Sequence, residues 1–547
     1  MGEDIDQVET DVLVLGGGMA GHRAALAAHR RGAAVTIAYP ARGASPYVIG
    51  CNVPLDPEAG DTPAIYAEDM IRGGGGLNDR RLVKLVAEEA TSAFRELCEL
   101  GVSFARDGER VQLRHLSGNR FARSVYVAEG TGRAIVDALA RQVKRDGICT
   151  LSGWKALTLL RHGAAVTGAL LWHPQKKNLT AVHARAVVLA AGGIGRLFDD
   201  STYPADVSAG AYGLALQAGA QLIDMEFVQF EPVVTVHPAG CAGMEMPTAM
   251  LGAGAHLLNA RGERFMFRYN PEHGERQIEK ARMSLCIQSE IDAGRGFPDG
   301  TVLFDTRPLA PAQLESYVSH CRRLRAAGLD PREEGPRVRP AAHSQMGGIF
   351  IDETGSCGVP GLYAGGEAAG GLHGASRIAG NGCSDTIVLG AVAGRGAAAG
   401  LLPAERSSRA LALNAAIEQL RALSGRRGEI NPGEAKAAVS RSVSSAAAIW
   451  RRKETLAAGL AALRGLARDI DDGLATPDIT AAVRAIEARD MVQTAQTIVE
   501  AALLRTESRG AHQRTDHPEQ NDATWLRHIG FRAGPKLVPE VEYIPLH

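Results

Sequence analysis

Four apolar residues in a row, Val12-Leu-Val-Leu15, run into Gly16-Gly-Gly-Met-Ala-Gly21, and an alanine-rich stretch from Ala24 to Ala28 follows. A short apolar run that ends in glycines and gives way to helix formers predicts a buried strand, a tight turn and a helix. Ala34 to Ala38 predicts a second strand, so the first forty residues read as a βαβ unit. Two later segments repeat the theme of a buried strand ending in glycine, Val187 to Gly193 and Gly358 to Glu367. The stretch between them from Val236 to Pro340 is more polar and proline-rich, which predicts an inserted cap. After Leu401 the apolar spacing becomes helical, with helices expected over Ala410 to Leu423, Ala458 to Ile470 and Ile479 to Arg505. The expected division is therefore 1–235 with 341–402 for a nucleotide-binding fold, 236–340 for the cap, and 403–547 for a helical C-terminal part.

The first turn carries chemistry. Gly16, Gly18 and Gly21 stand at the three spacings of a dinucleotide fingerprint: one for the tight turn, one for close approach of backbone to a pyrophosphate, one for packing of helix on sheet. The N–H groups from Met19 to His22 would face the phosphates at the positive end of the helix dipole. The 64 glycines are too unevenly clustered for a solenoid.

A chain of 547 residues with 45% hydrophobic content supports two or three cores. Its formal net charge of −1 offers no long-range attraction for nucleic acid or an anionic membrane, so ligand charge must be met locally. The eight cysteines are scattered without a Cys-x-x-Cys, which fits reduced, buried small hydrophobes and argues against a zinc site or an iron–sulfur cluster on this chain. Met1 to Thr10 is acidic with no apolar signal core, and no run of about 18 apolar residues occurs, so a cytoplasmic protein without membrane insertion is expected.

Six separated segments, Asp11 to Gly21, Asp224-Met-Glu-Phe-Val-Gln-Phe230, His343-Ser-Gln-Met-Gly-Gly-Ile349, Gly361-Leu-Tyr-Ala-Gly-Gly-Glu367, His373-Gly-Ala-Ser-Arg377 and Glu507-Ser-Arg-Gly-Ala-His512, occur in this order along nearly the whole chain. Together they resemble the flavoprotein subunits of the fumarate reductase, succinate dehydrogenase and L-aspartate oxidase family. The resemblance implies an α/β fold: a Rossmann-like FAD-binding domain in two segments, an inserted α+β capping domain that closes over a small carboxylate, and a C-terminal helical domain. It implies FAD contacts from Gly16, Gly18, Met19, Ala20, Gly21, Ser45, Gly50, Asn52, Ala191, Gly192, Gly193, Glu367, Asn381 and Ser384. Tyr39 ends the second strand where related folds often carry a ribose-binding acid, an omission the dehydrogenase branch shares. Arg377 resembles the arginine that holds a substrate carboxylate through a bidentate pair, and His343 the histidine that contacts the second carboxylate or carbonyl. His373 is expected to support its loop, and Glu507 to His512 to be a structural salt-bridge cluster.

The departures narrow the reading. The histidine that attaches covalently to flavin in succinate dehydrogenases is replaced, on an ungapped alignment of Pro40 to Pro46, by Ala44, so FAD should be noncovalent. Glu231 stands where the family places a histidine. The family's Thr-Glu pair falls on Thr248-Ala249, without the glutamate. Its catalytic, proton-transferring arginine falls opposite Lys280 when aligned backwards from Ser289-Glu-Ile291, and Arg282 lies two residues away. The sequence leaves the proton donor open between Arg282 and Lys280, against the alternative that both lie on a solvated face of a Gln277 to Ile291 helix.

The expected activity is hydride transfer between flavin N5 and a small carboxylate-bearing substrate, with Arg282 or Lys280, Arg377, His343 and Glu231 as its residues. A lone carboxylate at Glu231 would repel a second substrate carboxylate unless a cationic partner or a proton neutralised it, which predicts poor use of fumarate and succinate and a preference for one carboxylate with an amine or hydroxyl. Two other readings stand beside it: a flavoprotein resembling adenylylsulfate reductase with a separate ferredoxin or iron–sulfur subunit, and a non-catalytic electron-transfer flavoprotein.

Overall fold

The protein is described by a computed structural model covering residues 5–128, 130–404 and 406–546, without the side chains of 406–408. The acidic start, Met1 to Asp4, lies outside the described residues.

The main sheet has seven strands. Strands β1 (Asp6–Leu15), β2 (Val35–Tyr39), β3 (Cys149–Ser152), β4 (Lys155–His162), β5 (Ala165–His173) and β6 (Asn178–Leu189) lie in the order β3-β2-β1-β6-β5-β4, and Leu362–Ala364 pairs with β6. β3, β2, β1, β6 and Leu362–Ala364 run parallel, while β5 and β4 fold back as an antiparallel meander. Their apolar runs are buried on both faces, as parallel strands covered by helices require. Helix α1 (Met19–His29) leaves the glycine turn and packs against the late helix Asn381–Ala399.

Four strands therefore end side by side. Leu15 is in register with Ala38 and Leu189, and Leu189 with Ala364, although these residues lie far apart in the chain. The interrupted nucleotide fold closes as the glycine pattern predicts.

A second sheet of four strands, in the order β7-β10-β9-β8, belongs to the cap: β7 (Val228–His237), β8 (His256–Leu258), β9 (Val302–Asp305) and β10 (Arg337–Gln345). It encloses its own apolar cluster, including Met246, Leu257, Phe265, Ile287 and Phe304. β7 and β10 run through the expected boundaries at 235/236 and 340/341, so the cap's sheet is continuous with the strands that enter it.

The C-terminal region holds the expected helices as Arg406–Leu423, Lys453–Asp472 and Ile479–Leu504, with Pro432–Ala446 in addition. It is not wholly helical. Arg527–Arg532 and Glu540–Pro545 form an antiparallel hairpin that extends a small sheet through Leu222–Ile223. These strands are short, Arg-His-Ile-Gly-Phe-Arg and Glu-Val-Glu-Tyr-Ile-Pro, and lack the helical spacing of the segments before them.

Candidate active site

The ends of the aligned strands form a cradle. At Gly16, with φ +140°, a Cβ would lie 2.1 Å from the Ala190 carbonyl oxygen; at Gly21 it would lie 1.9 Å from that of Gly16. These two glycines are required by the turn and by helix packing alone. Gly17 lies against the Tyr39 ring, which a Cβ would approach to 2.4 Å. Gly18 instead opens toward Ser45, whose Oγ accepts the Met19 N–H at 3.0 Å. Helix α1 has no acidic residue in its first turn, so its positive end is available to an anion. Ala20 packs beneath Gly366 and Gly390, and Ala191 to Gly193 continue the turn after β6.

Glu367 closes the other side. Its Oε1 accepts from the Tyr203 hydroxyl, from Ser344 Oγ at 3.3 Å and from the Gln345 N–H at 3.1 Å. Beyond it, Ser384 Oγ donates to the Asn52 carbonyl at 2.7 Å and Asn52 Nδ2 to Asn381 Oδ1 at 3.2 Å. Asn52 Oδ1 and Asn381 Nδ2 are buried without partners, and Gly50 leaves room that a side chain would take from Ser124. Buried polar atoms without partners cost about 1–3 kcal/mol each. A glycine-lined helix terminus, an anchored carboxylate and these open amide atoms fit a large polar cofactor such as FAD. Ala44, beside Ser45, has no nucleophilic atom to bond it covalently.

The substrate side is built on the β7–β10 pair. Gln229 pairs with Ser344 but Phe230 pairs with Ala342, so His343 has no partner opposite it. Such a bulge turns a side chain out of the ladder, and the His343 ring reaches a cluster of charged groups. Its Nδ1 lies 3.0 Å from Thr202 Oγ1 and 3.2 Å from Glu245 Oε1, which leaves Nε2 as the nitrogen for a ligand. Glu245 sits on a segment that bridges to Val234, with the Met246 N–H donating to the Val233 carbonyl at 2.8 Å. Burial alone would drive the Glu245 carboxyl up, but the His343 imidazolium, with Lys280 and Arg377 behind it, holds it at about 2. Burial likewise opposes charge on His343, yet Glu245 and then Glu231 keep its value above that of an ordinary histidine.

Lys280 opens helix α2 (Lys280–Asp292), and its Nζ contacts both oxygens of Glu231, at 2.7 and 2.9 Å. Ser284, one turn on, donates to the Phe230 carbonyl at 3.0 Å and fixes this face of α2 on β7. Of the two alternatives for the proton donor, Lys280 is the one brought into the cluster. Arg282 is exposed, because two residues along a helix amount to about 200° of rotation. The solvated-face alternative thus describes Arg282 but not Lys280, and α2 starts at Lys280 rather than Gln277.

The structure also removes the ground for expecting a single-carboxylate substrate. Glu231 is 2% exposed, but its charge is met by Lys280, so it is not a free anion facing the pocket. Thr248-Ala249 begins a short helix, and the acid beside the site is Glu245, which the motif reading missed. Its one cue is an isolated glutamate between Met244 and Met246.

Arg377 lies in the loop before the helix Asn381–Ala399. Its Nη2 donates to Gln229 Oε1 at 2.9 Å, and its Nε is buried with no partner. His373 supports this loop through Asp385, 3.2 Å away. Glu507 and Arg509 are fully buried and ion-paired with each other, and Glu507 also with Arg505; the same segment packs on the Arg377 loop, with the Ala511 N–H donating to the Ala375 carbonyl at 2.9 Å.

Comparison with known proteins agrees with this geometry. A family profile described as FAD binding domain matches residues 11–383, and one described as fumarate reductase flavoprotein C-term matches 436–547. One chain of the CoM/CoB fumarate reductase of Methanothermobacter marburgensis is 33% identical over 538 residues, covering 95% of this chain and 96% of that protein. Among solved structures, an E. coli quinol fumarate reductase chain superposes with a TM-score of 0.91 at 25% identity, covering 99% of this chain and 97% of that one. The adenylylsulfate reductase of Archaeoglobus fulgidus, at 21% identity, TM-score 0.77 and 99% and 96% coverage, shares the fold alone. Among the described residues no helix is long and apolar enough to cross a membrane. The two matched profiles, the near-complete alignment and the cofactor cradle place the chain in the fumarate reductase, succinate dehydrogenase and L-aspartate oxidase flavoprotein family, as an FAD-dependent oxidoreductase.

Proposed function

We propose that the enzyme moves a hydride and a proton across the carbon–carbon bond next to the carboxylates of a short dicarboxylate of the fumarate/succinate type. The flavin supplies the hydride acceptor or donor; the chain supplies position, charge and the proton. Arg377 holds one carboxylate through its open fork. His343, whose protonated form Glu245 favours, donates from Nε2 to the other. Lys280, fixed by Glu231, gives or takes the proton at carbon. Lysine suits this role because, unlike arginine, it changes protonation readily when partly buried. We place Gly16 to Gly21, Ser45, Gly50, Asn52, Ala191 to Gly193, Glu367, Asn381 and Ser384 around a noncovalent FAD.

The observation that carries this reading is the buried, unpartnered Nε of Arg377 in the pocket that also holds the Lys280–Glu231 pair. A carrier flavoprotein has no use for such a pair. We further propose a cytoplasmic enzyme whose electron partner is a separate iron–sulfur protein, since all eight cysteines are free and six of them are buried. The test is anaerobic stopped flow: reoxidation of the reduced flavin should rise and saturate with fumarate concentration. A rate independent of fumarate rejects the proposal.

A further inference from the structure

We infer that Gln229 is the positioning residue of the carboxylate-binding arginine, holding its fork in place without neutralising it. The inference rests on the reading of Arg377 given above. Arg377 Nη2 donates to Gln229 Oε1 at 2.9 Å, and Gln229 Nε2 donates back to the Arg377 carbonyl oxygen at 3.1 Å. One amide thus grips the head and the root of the same residue. A flipped amide would set donor against donor at Nη2 and oxygen against oxygen at the carbonyl, so only one orientation satisfies both contacts.

The grip decides which N–H groups remain. With one Nη2 hydrogen taken and the carbonyl tied, the buried Nε is left without an acceptor and forms the edge offered to a ligand. Each end of the Gln229 amide makes one of these contacts, so both its oxygen and its nitrogen are oriented by Arg377. Its place in the fold adds a second effect. Gln229 is the residue paired with Ser344 at the bulge that turns out His343, on the strand that also carries Glu231. By tying the Arg377 loop to that strand, it sets the spacing between the two carboxylate-binding groups.

The choice of a neutral amide matters. Lys280 is held by a carboxylate, which compensates its charge. A carboxylate at position 229 would hold Arg377 equally well in space, but would fill its fork with a permanent anion and compete with the ligand. Glutamine fixes the guanidinium and leaves its charge for the substrate.

The test is calorimetric titration of FAD-loaded protein with malonate, a short dicarboxylate that cannot be reduced. Compared with the unaltered enzyme, Gln229→Leu should raise the malonate dissociation constant about tenfold and Gln229→Glu about a hundredfold, both with one FAD per chain. A packing role alone predicts no penalty for the isosteric Gln229→Glu relative to Gln229→Leu. The inference is overturned if Gln229→Leu binds malonate as tightly as the unaltered enzyme, or if Gln229→Glu binds at least as tightly as Gln229→Leu. Gln229→Glu, which preserves shape, decides the matter if the leucine variant does not fold. Arg377→Ala separates the two levels: if it retains malonate binding, the reading of Arg377 fails, whereas loss in Arg377→Ala with none in Gln229→Glu refutes the role of Gln229 only.

Discussion

Arg377 and Arg505 are both arginines set among carboxylates and glutamine or carbonyl oxygens, and they have been treated in opposite ways. Arg505 is fully buried between the rings of Phe227 and Trp525, with its guanidinium carbon 5.0 and 5.3 Å from their centroids. All three of its nitrogens have partners: Nε on Glu226, Nη1 on Glu507 and the Trp525 carbonyl, Nη2 on the Arg527 carbonyl. Arg377 has one internal acceptor at its head, and a buried N–H left over. A buried ion pair that is closed on itself ties chain segments together, here the Asp224 to Phe230 turn and the C-terminal hairpin. A guanidinium left partly open is expensive unless something else completes it, and in a pocket that something is the ligand.

The strongest test is to remove both arginines in turn. Arg505→Met leaves Glu226 buried without its cation, while Glu507 keeps Arg509, at a cost of about 3–5 kcal/mol, so the variant should unfold many degrees lower or be insoluble. Arg377→Lys should melt within a degree or two of the unaltered protein and keep its FAD. Its turnover should nevertheless fall by about 2–4 kcal/mol, roughly 30- to 1,000-fold, because the planar fork is lost. Differential scanning fluorimetry and flavin stoichiometry separate the outcomes; loss of FAD from Arg377→Lys would make it a structural arginine like Arg505.

Lys280 extends the same contrast to a pair. Lys280→Met should lower turnover by about 10²- to 10⁴-fold, the usual worth of a positioned acid, with FAD retained. Lys280→Arg restores the contact with Glu231 and should recover part of the loss. Retention of more than a tenth of the activity by Lys280→Met, measured in steady state without oxygen, would exclude it as the proton donor.

How legible these two regions were differs for a physical reason. The cofactor cradle is written locally: Gly16 and Gly21 are demanded by contacts within a few residues or across one strand, and the three glycine-ended strands announce themselves. The Glu507 to His512 cluster was also readable as structural, since charges packed that densely beside apolar segments must pair. The substrate cluster was only half legible. Arg377 and His343 carry motifs, but the meaning of Glu231 depends on Lys280, forty-nine residues away. Nothing in either segment shows that the two meet. Glu245 reaches the pocket from an irregular segment with no periodicity to mark it, and Gln229, although inside the Asp224 to Phe230 motif, gives no sign in the sequence that its partner is Arg377. The choice between Lys280 and Arg282 depends on where helix α2 begins, and its N-cap, Glu279, gives no side-chain cap bond to signal it.

Glu245→Gln sharpens the comparison through pH. In the native protein His343 is held above its ordinary value of 6.5, so its proton, and with it the grip on a carboxylate, is complete below that value and is lost as pH rises through the raised one. Without the Glu245 charge the loss should set in at lower pH. Malonate affinity should then match that of the unaltered enzyme near pH 5 and fall below it as the pH is raised toward 8. Parallel binding curves at every pH would show that Glu245 does not govern His343.

The smallest effect is the most pointed one. Arg282 is the residue that a two-place shift of the alignment would put in the role of the family arginine, and it carries the right side chain. The helix decides against it. Lys280 and Ser284 lie four residues apart on the face that Ser284 binds to the Phe230 carbonyl, and Arg282 lies between them in sequence but on the opposite side, exposed. Bringing it to the pocket would require α2 to turn by about half a revolution, which would expose Met283 and Ile287, now 3% and 0% accessible, and break the Glu231 pair. Arg282→Ala should therefore change turnover and stability by no more than about 0.5 kcal/mol, roughly a factor of two, as for other exposed substitutions. A hundredfold loss of turnover in Arg282→Ala, with Lys280→Met nearly intact, would mean that the cap turns its helix over during catalysis and that Lys280 and Glu231 are a resting-state latch.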